Sequence, residues 1–121
     1  MEEPDLKLAR ARLNTDRAET LRRIAGLDRD FAAIVTATSD GAAGGDDEHD
    51  PEGATVAFER QHVAALLAQA HEQLAAIDTA LEKVDSGRYG ICDICGGPIG
   101  GERLAARPAS TTCIRCARSR R

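Results

Sequence analysis

The chain carries two Cys-x-x-Cys pairs near its carboxyl end, and these are the residues best suited to chemistry. Seventeen residues separate the pairs, which are formed by Cys92, Cys95, Cys113 and Cys116. Each pair places two thiolates on one tight turn, and two pairs complete a tetrahedron around a metal ion with Zn–S bonds of about 2.3 Å. The spacing predicts a four-cysteine zinc site, with iron as the main competing metal.

Two other chemistries are open to four cysteines, namely two disulfides or a redox dithiol. Disulfides are rare in the cytoplasm, and the acidic start at residues 1–5 lacks the basic and then apolar pattern of a secretory signal. A redox centre needs one pair, whereas this chain has two matched pairs. The acidic start predicts a cytoplasmic location. Four thiolates leave no open coordination position for water, so we expect one structural zinc ion and no enzymatic activity.

The composition restricts the fold that must position this site. The 121 residues are 42% hydrophobic but include only one tyrosine, two phenylalanines and no tryptophan. A core built from Ala, Leu, Ile and Val suits helices packed at close range. We therefore expect neither an all-β sandwich nor an enzyme with a deep apolar pocket. No apolar run approaches the roughly 20 residues that span a bilayer, so no membrane association is expected.

Two stretches carry a heptad pattern, with core positions at alternating spacings of three and four residues, which is typical of a coiled coil. We call each set of these positions a seam. The first seam lies within residues 4–38 and consists of Leu6, Arg10, Leu13, Arg17, Thr20, Ile24, Leu27, Phe31 and Ile34. The second seam consists of Val56, Arg60, Val63, Leu67, Ala70, Leu74, Ile77, Leu81 and Val84.

Antiparallel pairing of the seams predicts a helical hairpin. It brings Ile24 opposite Leu67 and Leu13 opposite Ile77, with its midpoint at residues 45 and 46. This midpoint falls in a glycine-containing stretch that is not expected to be helical. The 28 residue steps from the first position of the first seam to the last predict a hairpin about 42 Å long.

Residues 38–52 form the expected tip of the hairpin. Asp50 is placed to cap the second helix and Pro51 suits its first turn, and this helix should end at Gly87 in a left-handed conformation. The tip segment has six acidic residues and no basic residue. The candidate partner-binding residues are Asp46, Asp47, Glu48, Asp50 and Glu52.

These elements predict an all-α protein with two parts. Residues 1–86 form an antiparallel two-helix coiled-coil hairpin, and residues 87–121 form a small four-cysteine zinc-finger module with a short basic tail. The module carries seven arginines against two acidic residues. Because polar residues interrupt the first seam at the end away from the tip, we expect the zinc module to clamp the two helix ends there.

The end of the chain resembles the C-terminal zinc finger of the DksA/TraR family. The resemblance rests on the run from Gly87 to Gly96 with its first cysteine pair, followed by Ile99, Arg103-Leu104, Ala106, Pro108 and the pair Cys113 and Cys116. A looser likeness extends over residues 50–116 through Asp50-Pro51, Phe58-Glu59-Arg60 and Leu81-x-x-Val84.

The resemblance implies a bacterial transcription regulator that binds RNA polymerase, with no direct binding to DNA expected. In this family the hairpin enters the secondary channel of the polymerase and its acidic tip acts near the catalytic centre. Guanosine tetraphosphate often takes part, and for this chain it is expected only jointly with polymerase. Family members usually carry Asp-x-x-Asp-x-Ala or a close variant at the tip, whereas this chain has Asp50, Gly53 and Thr55 at the aligned positions.

Two alternative functions remain open, the first from the residues themselves and the second from the same resemblance. In the first, the chain is a zinc-finger protein that binds nucleic acid through salt-dependent contacts from Arg115, Arg118, Arg120 and Arg121. In the second, the tip acids recruit a second metal ion to the polymerase centre and stimulate transcript cleavage. The missing second acid of the tip motif argues against this cleavage function.

Overall fold

The computed structural model describes residues 5–42 and 51–119, with side chains over 5–37 and 53–119. Its helices are α1 (Leu6–Ala42), α2 (Pro51–Ser86), α3 (Gly101–Ala106) and α4 (Ile114–Ser119). The two long helices form a hairpin and the cysteines cluster after it, which confirms the predicted fold class. In the described ranges the β-structure consists of one isolated antiparallel bridge, between Ile91 and Pro98.

The chain forms two compact units, which consist of residues 1–19 with 73–121 and of residues 20–72. The predicted division into a hairpin and a finger module at residue 87 stays a prediction. Among the described residues, neither long helix carries a stretch apolar enough to cross a bilayer.

Burial in the unit of residues 20–72 follows the two seams. Thr20, Ile24 and Ala70 are buried, and the remaining seam positions are half-buried except Arg60, which is exposed. Among the described side chains of this unit, every residue outside the seams is exposed apart from the half-buried Gly26. The three-and-four spacing therefore correctly predicts the inward faces of both helices in this unit.

Two ion pairs define the helix register in the unit of residues 1–19 and 73–121. Arg10 Nη2 lies 2.7 Å from Asp85 Oδ1, and Arg17 Nε lies 2.7 Å from Asp78 Oδ1. The two arginines are one heptad apart on α1, and their partners are one heptad apart on α2 in the reverse order. The helices are therefore antiparallel in this unit, as the pairing of the seams predicts.

The first seam differs from its expected burial at its beginning. Leu6 is 40% exposed, whereas Ala9, which is not a seam residue, is 8% exposed. Arg10 and Arg17 turn their guanidinium groups toward carboxylates on α2 instead of interrupting the packing. Because an arginine stem covers apolar surface while its charged end reaches outward, both positions remain compatible with the coiled coil.

The second helix ends as its sequence predicts. Gly87 has φ 76°, a left-handed conformation that glycine adopts without the steric cost borne by other residues. The backbone N–H of Gly87 donates to the carbonyl of Val84 at 3.4 Å, and that of Arg88 donates to Lys83 at 2.9 Å. This pair of bonds is the Schellman motif, which satisfies the last carbonyls of a helix and redirects the chain. The chain then enters the cysteine-containing segment.

The predicted tip overlaps the two long helices at both of its ends. Helix α1 continues to Ala42, four residues beyond the predicted end at residue 38, and Gly41 is part of this last turn. Helix α2 begins at Pro51, as predicted. A single glycine near a helix end costs about 1 kcal/mol relative to alanine, which the helix tolerates. The capping role predicted for Asp50 lies outside the described residues.

Candidate metal centre

The first cysteine pair lies on a tight turn closed by backbone hydrogen bonds. The N–H of Cys92 donates to the carbonyl of Gly97 at 2.7 Å, and the N–H of Gly96 donates back to Cys92 at 3.0 Å. Two further N–H groups point at sulfur: Ile94 donates to Cys92 Sγ and Gly97 donates to Cys95 Sγ, both at 3.4 Å. We call this turn the first knuckle.

The second cysteine pair lies at the start of α4. Cys113 directly precedes the helix and Cys116 lies within it, and the N–H of Ala117 donates to the carbonyl of Cys113 at 2.9 Å. Residues three apart share one face of a helical turn. The turn therefore directs both sulfur atoms toward the first knuckle.

The structure brings the four predicted cysteines into one cluster. Their sulfur atoms all lie within 4.8 Å of one another, and Cys95 Sγ is 3.9 Å from Cys113 Sγ. Four sulfurs around a zinc ion with bonds of about 2.3 Å are about 3.8 Å apart in an ideal tetrahedron. Cys95 is exposed, whereas the other three cysteines are buried, and all four are free thiols. The spacing fits a metal ion better than the disulfides considered above.

Backbone donors favour the thiolate form at two of the four sulfurs. Hydrogen bonds from the N–H groups of Cys95 and Cys113 lower the pKa of Cys92 to about 6. The N–H of Cys116 likewise lowers the pKa of Cys113. The opposite holds for Cys116, whose hydrogen bond with the Cys113 side chain raises its pKa to about 12. Thiolates are the form that binds metal ions, so a cation entering the cluster would displace the remaining protons.

The sulfur cluster is part of the hydrophobic core that both long helices share. The core draws on α1, on α2 and on the segment that follows them. Its buried members are Ala9, Leu13, Ile77, Ala80, Val84, Tyr89, Cys92, Ile99, Leu104, Cys113 and Cys116. A substitution of a clustered cysteine is therefore expected to disturb the packing of both long helices.

Two polar contacts join the cysteine-containing segment to the long helices, and a third lies within the segment. The Arg12 guanidinium on α1 donates to the carbonyl of Ala105 in α3. The Tyr89 hydroxyl donates to the carbonyl of Pro108 at 2.7 Å. Lys83 Nζ, in the last turn of α2, lies 2.6 Å from Asp93 Oδ1 in the first knuckle.

Sequence reasoning did not find these contacts. Arg12 lies outside both seams, and nothing in its spacing distinguishes it from the other arginines of α1. Lys83 and Asp93 have opposite charges and lie on either side of the predicted helix end, which is a signal that the sequence does offer. Their separation of ten residues is too large for a pair within one helix, so this signal needs a turn that brings the chain back.

Most of the predicted partner-binding acids lie outside the residues that the structure describes. Glu52 lies in the first turn of α2. The other four, Asp46, Asp47, Glu48 and Asp50, lie outside the described residues.

Parts of the chain are similar in sequence to known proteins. Residues 87–121 match the family model of the prokaryotic dksA/traR C4-type zinc finger. YteA of Bacillus subtilis (strain 168) is 39% identical over 66 residues, which cover 54% of this chain and 28% of that protein. The RNA polymerase-binding transcription factor DksA of Haemophilus influenzae is 48% identical over 40 residues, which cover 33% of this chain and 28% of that protein. The chain thus spans less than a third of the length of these curated relatives.

The likeness to a solved structure is more extensive. Transcription factor DksA2 from Pseudomonas aeruginosa superposes with a TM-score of 0.77 at 28% sequence identity. The match covers 98% of this chain and 90% of that one. The similarity therefore includes both long helices and the cysteine-containing segment.

Proposed function

We propose that the chain is a transcription regulator of the DksA/TraR family that binds RNA polymerase and catalyses no reaction of its own. The likeness to DksA2 along almost the whole of both chains is the observation that carries this proposal. The curated DksA relatives support it, since they are RNA polymerase-binding transcription factors.

The proposal assigns different roles to the two ends of the hairpin. The helical hairpin enters the secondary channel of the polymerase, with the acidic residues of the tip near the catalytic centre. Carboxylates there act on basic polymerase groups or on the catalytic magnesium ion through short-range electrostatics. The five residues assigned to this role are Asp46, Asp47, Glu48, Asp50 and Glu52.

The cysteine cluster holds one structural zinc ion in this proposal. The sulfur spacing and the N–H groups directed at Cys92 and Cys95 support it. All four coordination positions are filled by sulfur, so the ion stabilises the fold and offers no site for a substrate. The ligands are Cys92, Cys95, Cys113 and Cys116.

The experiment combines binding with transcription. Zinc-loaded chain is labelled and titrated with purified bacterial RNA polymerase, and the same preparation is added to transcription from purified templates. The test variant is Asp50→Asn, and Glu72→Gln is its matched control because Glu72 is an exposed acid on α2 away from the predicted tip. Guanosine tetraphosphate is included in parallel reactions with and without the chain.

The two measurements separate the parts of the proposal. We expect both variants to bind polymerase as tightly as the unmodified chain, with only Asp50→Asn losing the effect on transcript yield. Absence of polymerase binding by the unmodified chain would overturn the proposed function. Normal regulation by Asp50→Asn would remove Asp50 from the active tip and leave the binding intact.

A further inference from the structure

In the unit of residues 20–72, the residues that directly follow the seam positions form a second stripe along each long helix. All ten of these residues are exposed. Because they keep the three-and-four spacing of the seams, they lie along one side of their helix, next to the seam. We call them the alanine face, since half of them are alanines. They are Leu21, Ala25, Asp28, Ala32, Val35, Ala57, Gln61, Ala64, Ala68 and His71.

The two stripes of the alanine face lie on the same side of the helix pair. In the unit of residues 1–19 and 73–121, Asp78 and Asp85 each directly follow a seam residue of α2, and each contacts a seam arginine of α1. Ile24 and Phe31 continue these arginine positions of α1 at intervals of seven residues. The same repeat therefore places the two stripes of residues 20–72 side by side, and they form one two-helix face.

The alanine face has the composition of a surface that packs against other helices. Leu21 is 41% exposed and Val35 is 38% exposed, and Phe58, which directly follows Ala57 at the edge of the face, is 72% exposed. Asp28 is the one acidic residue of the face, which contains no lysine or arginine. Alanines allow a second helix to approach closely, and larger apolar side chains fill the space that remains. Exposed apolar groups that share one face indicate an interaction site.

We propose that the alanine face binds the same face of a second copy of this chain and forms a symmetric four-helix bundle. A two-fold axis that runs along the helices places α1 of one copy over α2 of the other, so that all neighbouring helices are antiparallel. Such an axis permits no sliding of one copy along the other. The register that pairs Ile24 with Leu67 within one copy therefore also determines which residues meet between the copies.

This register gives the exposed Phe58 and Arg60 complementary partners. Phe58 of one copy lies level with Ala32 of the other and beside Val35, so the small side chain leaves room for the ring. Arg60 is the exposed seam residue of α2, and it lies about 4 Å along the axis from Asp28 of the other copy. Neither Arg60 nor Asp28 forms an ion pair with another described residue. The symmetry creates this charge pair twice, which favours a second copy of the chain as the occupant.

The size of the alanine face predicts a weak and reversible dimer. Two helices side by side are about 20 Å wide, and the face is about 26 Å long with half a turn added at each end. Two copies therefore bury about 1,000 Å² in total, which is at the lower limit of specific interfaces. We expect a Kd on the order of 10–100 μM. This inference does not depend on the proposed function.

Sedimentation velocity of the full zinc-loaded chain from about 1 to 300 μM tests the proposal, because a dimer of this affinity forms within that range. The main variant carries Ala25→Glu and Ala68→Glu, which place carboxylates inside the interface. The matched control carries Ala33→Glu and Gln69→Glu, which add the same charges at exposed positions outside the alanine face. We expect the main variant to raise the dimer Kd by more than about tenfold and the control to change it by less than about twofold. Circular dichroism verifies the helix content of each protein.

A charge exchange tests the arrangement of the two copies. Asp28→Arg should weaken the dimer by placing two like charges together, and adding Arg60→Asp to it should restore the affinity. Failure of the second change to restore the dimer would overturn the proposed arrangement. A chain that stays monomeric up to 300 μM, or a dimer that the main variant and its control affect equally, would overturn the proposal as a whole. A monomeric chain whose affinity for RNA polymerase falls in the main variant alone would overturn it as well, and would assign the alanine face to polymerase.

Discussion

Lys83 and Asp93 form an ion pair of 2.6 Å that connects the last turn of α2 to the first knuckle. Only 12% of the Lys83 side chain is exposed, whereas 54% of the Asp93 side chain is exposed. The N–H of Asp93 also donates to the carbonyl of Thr111 at 2.8 Å, which ties the knuckle to the segment before the second cysteine pair. Asp93 therefore links three parts of one unit and supplies the counter-charge of a lysine whose side chain is largely buried.

The burial of Lys83 predicts an unequal effect of two similar substitutions. Asp93→Asn removes the counter-charge of Lys83, whose side chain is only 12% exposed, and we expect the free energy of unfolding to fall by about 1–2 kcal/mol. Asp85→Asn breaks the Arg10 pair, whose side chains are 49% and 71% exposed, and should cost less than about 0.5 kcal/mol. Urea denaturation of the zinc-loaded proteins measures both. Equal losses would show that the burial of Lys83 does not matter.

The inward faces of the long helices were predictable from spacing alone. Among the described side chains of residues 20–72, the buried and half-buried positions are the seam positions, with the exposed Arg60 and the half-buried Gly26 as the exceptions. A heptad repeat determines which side of a helix faces its partner, and that information is local. The clustering of the four cysteines was also predictable, because the short spacing within each pair matches the geometry of a four-sulfur site.

The contacts that join the cysteine-containing segment to the helices were not predictable. They depend on where the chain returns after Gly87, and heptad spacing carries no information about that path. The burial of Ala9 in place of Leu6 shows the same limit, because the core of this unit includes side chains from outside the coiled coil, such as Leu104. The burial of a residue such as Ala9 is determined by the segment that packs against it and not by its position in the heptad repeat.

The seam register predicts energetic coupling between the two helices. Leu13 and Ile77 are both fully buried and are paired by the register. We expect Leu13→Ala to lower the free energy of unfolding by about 2–5 kcal/mol, whereas Leu8→Ala at an exposed position costs less than about 0.5 kcal/mol. Combining Leu13→Ala with Ile77→Val should give a coupling energy above about 0.5 kcal/mol if the two side chains touch. Strict additivity in urea denaturation would count against this register.

The single tyrosine provides a pH-dependent signal of the folded core. Burial raises the pKa of Tyr89 above its ordinary value of 10.0, and nearby Arg12 opposes part of this increase. The folded chain therefore holds the hydroxyl proton more tightly than the unfolded chain, and stability falls as the pH rises from about 10 through the higher folded value. An ultraviolet titration should show tyrosinate forming at higher pH in the folded protein than in urea. Coincident titration curves would contradict the burial.

The helix ends and the sulfur cluster share one core, so the metal should stabilise the hairpin as well as its own segment. Cys92→Ser removes the buried sulfur atom of a proposed zinc ligand and is expected to abolish binding of the proposed zinc ion, as elemental analysis would report. Because Leu13 and Ile77 pack in the same core as Cys92, helix melting followed by circular dichroism should shift down by more than about 10 °C. Glu82→Gln is a suitable control, because Glu82 is exposed and lies in the last part of α2, just before the cysteine-containing segment. Zinc loss with an unchanged melting curve would reject the clamp, since the helices would then be stable without the metal-bound segment.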